Sequence, residues 1–152
     1  VLALVNDSTE MGFNAQWVSA ETSSPLADGS APSGSRLPQV PEFKGNLWIE
    51  KNVPISMLGA NEAFIRGSVA YTGDSVSAVQ PGYSFVQKSF TIADVKMGIM
   101  GDDWELDLFI SNLTDERAEI AVNDWYFDFF FGRGRQYTNR PREIGIRFTK
   151  SW

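Results

Sequence analysis

The strictest pattern in this 152-residue sequence is the alternation of apolar and polar residues over positions 140–152. Ile144, Ile146 and Phe148 fall on one side of an extended chain, and the residues between them fall on the other side. A strand with this period of two has one apolar and one polar face. In a soluble protein the apolar face meets a core. In a transmembrane barrel it meets lipid, and a terminal aromatic residue such as Trp152 sits at the membrane interface.

The same alternation recurs along the chain, and helical periodicity is nearly absent. Residues 1–5 have the pattern of the end of an earlier strand, followed by a turn at 6–8. Pro54 and Gly59 interrupt the alternation, so no strand is predicted over residues 51–61. Each predicted strand is close to the roughly 9–11 residues that cross an outer membrane at a tilt. About six strands are predicted, over 10–21, 42–50, 62–72, 89–100, 104–112 and 140–152.

The connections between these strands differ in length in a regular order. Residues 22–41, 73–87 and 114–139 form long connections, whereas 51–61 and 101–103, which alternate with them, are shorter. In an up-and-down barrel, alternate connections lie at opposite ends, and outer-membrane barrels have short periplasmic turns and long extracellular loops. The order therefore predicts an all-β, antiparallel up-and-down transmembrane barrel segment with every long loop outside the cell.

Composition excludes several classes of function. The formal charge of −6 and the pI of about 4.6 disfavour nucleic acid as a partner. The chain has neither Cys nor His, which excludes disulfides, thiolate zinc sites and Ser–His or Cys–His nucleophiles. No apolar run approaches the roughly 20 residues of a transmembrane helix. No enzyme activity, cofactor or metal site is therefore predicted.

Four segments occur in an order that resembles one protein family. The set resembles the C-terminal part of the TonB-dependent receptors of Gram-negative bacteria, over about residues 10–152. The chain begins at Val1 without a signal peptide, so we expect a processed product or a fragment. The four segments are SRLPQVPEF at 35–43, GSVAYTG at 67–73, ISNLTDERA at 110–118 and QYTNRPREIGIRF at 136–148.

The resemblance implies a 22-stranded barrel in the outer membrane, closed inside by an N-terminal plug domain. It also implies a coupling box that engages TonB, and the import of ferric siderophores, cobalamin, haem, sugars or other scarce nutrients. About six strands cannot close a barrel, for which about eight is the practical minimum. Residues 1–152 are accordingly expected to be a single region, the C-terminal portion of such a barrel, without the plug.

The final strand has a second role by resemblance, because in this family it is also the signal for the barrel assembly machinery. Lys150 departs from the family pattern, which usually has an aromatic or apolar residue two positions before the terminal aromatic. A lysine side chain can reach the interface by snorkelling. The residues expected to carry the signal are Ile144, Ile146, Phe148 and Trp152.

The longest connection carries the candidate ligand-binding residues. Its aromatic run at 125–131 is either a surface that grips a ligand or an upward continuation of the strands into an aromatic girdle. Its GRGR segment at 132–135 lacks a following helix and a Lys-Ser/Thr pair, so it does not match a P-loop. The positive charge could instead attract an anionic ligand. The candidate residues are Trp125, Tyr126, Arg133, Arg135 and Tyr137.

The densest acidic cluster is Asp102, Asp103, Glu105 and Asp107. It could form a cation site or an acid/base pair. It could also be two turn residues followed by the polar face of a strand, and that interpretation explains every position. Two rival classes remain open from periodicity alone: a soluble or secreted β-sandwich or small barrel that binds a ligand, and an autotransporter or other unrelated outer-membrane barrel.

Overall fold

The computed structural model describes residues 1–123 and 135–151 of the chain. These residues form strands, with one short 3-10 helix at Pro81–Tyr83. No helix in this part of the chain is both long and apolar enough to cross a membrane. The strands are β1 (Leu2–Asn6), β2 (Thr9–Trp17), β3 (Phe43–Met57), β4 (Ala60–Thr72), β5 (Ser75–Val76), β6 (Val86–Gln87), β7 (Phe90–Met100), β8 (Trp104–Ser111), β9 (Glu119–Asn123), β10 (Arg135–Thr138) and β11 (Glu143–Lys150).

Seven strands form one antiparallel sheet in the order β1-β2-β3-β4-β7-β8-β11. Each strand pairs with the strand before it in this order, so the sheet is an up-and-down meander, and the predicted fold class is confirmed. The remaining strands form two hairpins, β5–β6 and β9–β10, inside the second and third long connections. The barrel is not closed within this chain.

The connections divide between the two ends of the sheet as the sequence predicts. The turns at 7–8, 58–59 and 101–103 lie at one end, here called the short-turn end. The segments 18–42, 73–89, 112–123 and 135–142 lie at the other, the long-loop end. This arrangement follows from the antiparallel order alone, because each strand reverses the direction of its neighbour.

The predicted absence of a strand over residues 51–61 is wrong, because β3 continues to Met57 and only Leu58 and Gly59 form the turn. Pro54 is tolerated for a structural reason. The N–H of Asn52 donates to the carbonyl of Ser8 at 2.8 Å, on the side of β3 that faces β2. The backbone nitrogen of Pro54 faces the same side of β3, but it lies beyond the β1–β2 turn, where β2 offers no partner. The missing N–H of Pro54 therefore removes no hydrogen bond of the sheet.

Other strand ends are set by pairing rather than by alternation. β2 ends at Trp17, which pairs with Phe43, the first residue of β3. The predicted strand to residue 21 is therefore too long. At the other edge, β11 begins at Glu143, whose Cα partner is Ser111, the last residue of β8. A strand stops where its neighbour no longer offers backbone partners, although its own sequence continues to alternate.

The sheet is a single layer with little buried apolar surface. Among the described residues only four hydrophobic side chains are buried: Ala31, Ala60, Phe64 and Ala118. A sandwich would place a second sheet roughly 10 Å away to cover the apolar side chains. In the described part of the chain no second layer of that size is present, because the other two sheets have two short strands each.

Candidate functional site

One side of the sheet, here called the apolar face, exposes large hydrophobic side chains along its whole width. A row of Cα partners shows the pattern: Ile65 pairs with Met97, Met97 with Leu108, and Leu108 with Ile146. These side chains are 49%, 45%, 51% and 71% exposed. Soluble monomers rarely expose contiguous apolar patches larger than a few hundred Å², and they rarely leave such a row uncovered across neighbouring strands. The other exposed members include Phe13, Leu47, Ile49, Val69, Leu106, Ile144 and Phe148.

Aromatic rings mark both ends of the apolar face. At the long-loop end Phe43 lies between Trp17 and Tyr71, with ring centroids 6.1 and 6.0 Å apart. At the short-turn end the rings of Trp104 and Phe148 stack at 6.4 Å. The eight residue-to-residue steps of β4 from Tyr71 to position 63 span roughly 27 Å of strand, or roughly 20 Å along a barrel axis at a tilt of about 40°. That height approaches the roughly 25 Å apolar band of an outer-membrane barrel.

The opposite side, the polar face, carries ion pairs between neighbouring strands. Arg66 pairs with Glu50 at 3.4 Å. Lys96 lies 2.6 Å from Glu105 and 3.5 Å from Asp107. These contacts link β3 to β4 and β7 to β8, so the polar face is held by charge as well as by backbone bonds.

Cations on the polar face also lie over aromatic rings. The Arg66 guanidinium carbon is 4.1 Å from the centre of the Trp48 ring. The Lys96 ammonium is 4.9 Å from the Phe64 ring. A cation over a ring face within about 6 Å is attracted by the ring quadrupole. The sequence signal for these sites is an aromatic residue in a polar position of the alternation, as at Trp48.

A groove of about 540 Å³ crosses the polar face between β4 and β11. Asp107 lies at its floor with a side chain only 1% exposed, and neither carboxylate oxygen has a hydrogen-bond partner among the described residues. The ion pair with Lys96 compensates part of the charge. The groove is lined by both signs of charge, including Arg66, Asp94, Lys96, Arg140, Glu143 and Arg147.

The acidic cluster falls where the turn-and-strand interpretation predicts. Asp102 and Asp103 lie in the β7–β8 turn, and Glu105 and Asp107 lie on the polar face of β8. Each of the first three has its own partner: Asn61 donates to Asp102 at 2.7 Å, Lys150 lies 3.6 Å from Asp103, and Lys96 bonds Glu105. No group of three metal-ligating side chains is found among the residues that the structure describes.

At the long-loop end, Asn112 joins the ends of two strands. Its side chain is buried, and its Nδ2 donates to the carbonyls of Glu116 and Arg140 at 2.9 and 3.0 Å. Its Oδ1 accepts the Glu116 N–H at 2.8 Å, and its own N–H donates to Asp94 at 2.8 Å. The backbone of Asn112 is left-handed, with φ of +53°, a conformation that asparagine tolerates well. Sequence reasoning missed this role, although the SNLTDE segment contains the residue.

A second network supports the same region. The N–H of Arg142 donates to Asp115 at 2.8 Å, and this bond is the main cause that lowers the pKa of the Asp115 carboxyl. The N–H of Ala118 donates to the side-chain oxygen of Asn139 at 2.9 Å. Side chains therefore replace the ladder bonds that are missing between β8–β11 and the β9–β10 hairpin.

The first two long loops are joined by Arg36. Its guanidinium donates to the carboxylate of Asp74 at 2.8 Å and to the Asp74 carbonyl at 2.9 Å. It also lies 3.6 Å from Glu42. The N–H of Gln39 adds a backbone bond to Val76 at 2.8 Å. The hydrogen bond from Arg36 is the main cause that lowers the pKa of the Asp74 carboxyl.

The candidate ligand residues are only partly within the described chain. Tyr137 lies on β10, paired with Ala121, and its side chain is 48% exposed. The backbone of Arg135 begins β10. Trp125, Tyr126 and Arg133 lie outside the described residues, so their role remains a prediction.

The expected assembly strand is present as β11. Ile144, Ile146 and Phe148 share the apolar face and are 74%, 71% and 63% exposed. Each is the Cα partner of an apolar residue on the neighbouring strand β8. Trp152 lies outside the described residues. The geometry of the strand agrees with the alternation, while its role as an assembly signal stays a prediction.

Comparisons with known proteins identify the fold. No protein-family model and no curated protein matches the sequence. Among solved structures, the ferric yersiniabactin uptake receptor FyuA from Yersinia pestis matches with a TM-score of 0.77 and 15% identity, over 98% of this chain and 22% of that chain. The ferric-catecholate import receptor Fiu from Escherichia coli K12 matches with a TM-score of 0.66 and 15% identity, over 95% of this chain and 19% of that chain. The chain thus has the fold of part of a TonB-dependent receptor barrel and spans about a fifth of the length of these proteins.

Proposed function

We propose that this chain is the C-terminal portion of the barrel of a TonB-dependent receptor in the outer membrane of a Gram-negative bacterium. The observation that carries the proposal is the exposed apolar face, which is bounded by aromatic rings at both ends. Lipid is the environment in which such a face is stable without a second protein layer. The likeness in fold to two import receptors supports the same conclusion.

The polar face then lines the inside of the barrel. Its ion pairs and its groove provide the surface against which a plug domain from elsewhere in the full-length protein packs. In this proposal the plug region also carries the segment that engages TonB. β1 and β11 are the two edges of the sheet, and both pair with further strands of the full-length barrel, because closure removes free edges.

The transported substrate is a scarce nutrient of the kind that such receptors import, and a ferric siderophore is the leading candidate. The ligand would be captured at the long-loop end by the third loop, with Trp125, Tyr126, Arg133, Arg135 and Tyr137 as the contacting residues. The aromatic and basic character of this loop, in an otherwise acidic chain, supports the assignment. Arginine guanidinium groups suit the carboxylate or catecholate oxygens of an anionic complex. The function is transport, and no catalytic step is proposed.

The membrane proposal is tested by fractionation of the full-length protein. We expect it in the outer membrane and expect the unheated protein to migrate faster than the boiled protein on a detergent gel. Recovery in the soluble periplasm would overturn the proposal and favour the soluble β-domain.

The uptake proposal is tested by deleting residues 125–135, or by replacing Arg133 and Arg135 with Ala. Uptake of a radiolabelled ferric siderophore by iron-starved cells should fall, while the amount of heat-modifiable barrel stays unchanged. A control replacement of Arg117, whose guanidinium pairs locally with Asp115 at 3.4 Å, should leave uptake unaffected. Full uptake after the deletion would show that this loop does not capture the substrate.

A further inference from the structure

A lysine without an anionic partner stands on the apolar face. Lys51 is the Cα partner of Ile65 and so begins the row of exposed apolar side chains that crosses this face. On the strands of the seven-stranded sheet, the apolar face carries one other charged residue, Lys150, which lies 3.6 Å from Asp103. Lys51 is exposed, and no hydrogen bond or ion pair joins it to another of the described residues. A cation on a lipid-facing surface needs an anion or water from outside the chain.

Lys51 lies at the short-turn border of the apolar face. Phe43, in the aromatic cluster at the long-loop end, precedes it on the same strand by eight positions, or roughly 20 Å along a barrel axis. An apolar band of roughly 25 Å that starts at Phe43 therefore ends about 5 Å beyond Lys51. A lysine side chain covers such a distance by snorkelling, so the ammonium reaches the level of the lipid headgroups.

A groove of about 490 Å³ opens on the apolar face beside Lys51. The small side chain of Ala63 leaves room there between its two larger Cα partners, Val53 and Ile99. Lys51 is the only charged residue among the described residues that line the groove. The groove thus has a cation at one border and apolar walls elsewhere, which is the chemistry that suits an amphiphile with an anionic head.

The groove runs from this border toward the middle of the apolar face. β3 begins eight positions before Lys51, whereas β8 ends only three positions after Leu108, at Ser111. Both strand ends lie at the long-loop end, so the row of Cα partners crosses the face obliquely, as the strand tilt in a barrel requires. Leu106, which lines the far side of the groove, lies roughly 13 Å from that end along the axis. An acyl chain that enters beside Lys51 therefore reaches the middle of the band.

The position of the groove decides what covers it. Further barrel strands add at the sheet edges, β1 and β11, and a plug packs on the opposite, polar face. The groove lies between β3 and β8, inside the sheet, so neither reaches it. A second membrane protein would have to bring a carboxylate to the hydrocarbon border to match Lys51, which is costly. A phospholipid already has its phosphate at that level.

We propose that Lys51 and the groove bind one phospholipid of the periplasmic leaflet, with the phosphate on the Lys51 ammonium and an acyl chain in the groove past Ala63. The inference rests on the proposed membrane location, with the long loops outside the cell. The site selects an anionic lipid such as phosphatidylglycerol over phosphatidylethanolamine. The reason is that phosphatidylethanolamine carries its own ammonium, which competes with Lys51 for the phosphate, whereas a net negative headgroup is attracted to a lysine.

The test measures lipid binding to the purified full-length protein in detergent by native mass spectrometry. Phosphatidylglycerol and phosphatidylethanolamine with the same acyl chains are titrated against the parent protein and against Lys51→Gln. Lys44→Gln is the matched control, because Lys44 is an exposed lysine of the same strand on the polar face. Heat modifiability shows that each variant is folded.

We expect the parent protein to bind its first phosphatidylglycerol about fivefold more tightly than phosphatidylethanolamine, as one lysine near the membrane surface gives. Lys51→Gln should bind both lipids equally, and Lys44→Gln should keep the preference. Equal binding by the parent, or a preference that survives Lys51→Gln, would overturn this inference alone. Absence of the parent protein from the outer membrane would overturn the proposed function, and this inference with it.

A second pair of variants tests the groove rather than the charge. Ala63→Leu fills the space between Val53 and Ile99 and keeps Lys51, so phosphatidylglycerol should bind several-fold more weakly while the barrel stays heat-modifiable. Val69→Leu enlarges an exposed side chain of the same strand outside the groove and should leave binding unchanged. Full lipid binding by Ala63→Leu would show that no acyl chain occupies the groove.

Discussion

The indole ring of Trp48 lies over Gly12 on the neighbouring strand, in the space that a side chain at residue 12 would fill. The two residues are Cα partners on the polar face, and the guanidinium carbon of Arg66 lies 4.1 Å from the centre of the same ring. The arrangement repeats at the other edge, where the ring of Phe109 covers Gly145 and Arg147 lies 5.3 Å from the ring centre. Glycine, ring and cation thus form two stacks, each of which lets a large ring lie flat against the sheet.

Gly12→Ala should therefore destabilise the sheet. A methyl group would clash with the indole ring, and overpacking of this kind costs about 1–3 kcal/mol. Gly67→Ala is the control, because Gly67 lies on β4 of the same sheet and a methyl group there would meet nothing within 4 Å. The urea midpoint of the refolded full-length protein in lipid measures the difference. Equal midpoints for the two variants would show that the ring moves aside without cost.

Phe148→Asp and deletion of Trp152 should each reduce assembly of the full-length barrel. Phe148 is exposed on the apolar face, where a charge costs roughly 2–4 kcal/mol for Arg or Lys at the membrane midplane and less for Asp or near the interface. Asn46→Asp places the same carboxylate on the polar face and should be tolerated. Lys150→Tyr should be neutral or mildly helpful. The measurement is the amount of heat-modifiable protein in the outer membrane. Normal amounts for both Phe148→Asp and the Trp152 deletion would show that β11 is not the terminal barrel strand.

Asn112→Ala should loosen the long-loop end of β8 and β11. The change removes three side-chain hydrogen bonds and places Ala in a left-handed backbone. A buried carbonyl that loses its donor costs about 1–3 kcal/mol. Asn61→Ala, which removes one exposed bond to Asp102, should cost much less. Hydrogen exchange of the Glu116 amide reports the effect directly, and unchanged protection there would contradict the role of Asn112.

The bond between Arg36 and Asp74 should make the docking of the first two loops sensitive to acid. The pKa of Asp74 is lowered in the folded protein, so the folded state favours the charged carboxylate. This contribution is complete above the ordinary carboxyl pKa and is lost as the pH falls through the lowered value. Spin labels at Ser24→Cys and Gly82→Cys should move apart in that range, and Asp74→Asn should separate them at neutral pH.

The control for this experiment is Asp28→Asn. The pKa of Asp28 is also lowered, mainly by the hydrogen bond from the Ser30 hydroxyl, but that contact lies within the first loop. The variant should leave the distance between the loops unchanged at neutral pH. A distance that did not respond to acid in the parent protein would show that other contacts, such as the Gln39–Val76 backbone bond, hold the loops together.

The sequence alone determined which residues share a face and which end of the sheet carries the long loops. Both properties are local, because alternation with a period of two is written into each strand and the order of connections follows the chain. The apolar face of Ile144, Ile146 and Phe148 was therefore predictable before any pairing was known. The fold class followed from the same signal, and so did the first strand, which was predicted over residues 1–5 and is found at Leu2–Asn6.

The tertiary structure decided everything that depends on register. Whether Pro54 breaks a strand depends on whether a neighbour needs its N–H, and only the length of the β1–β2 hairpin settles that. Likewise, Gly12 meets Trp48, and Asn112 reaches the carbonyl of Arg140 across 28 positions of the chain. These contacts join residues far apart in sequence, and no local pattern encodes a partner. Strand pairing fixes them, because shifting the register by one residue would exchange the two faces.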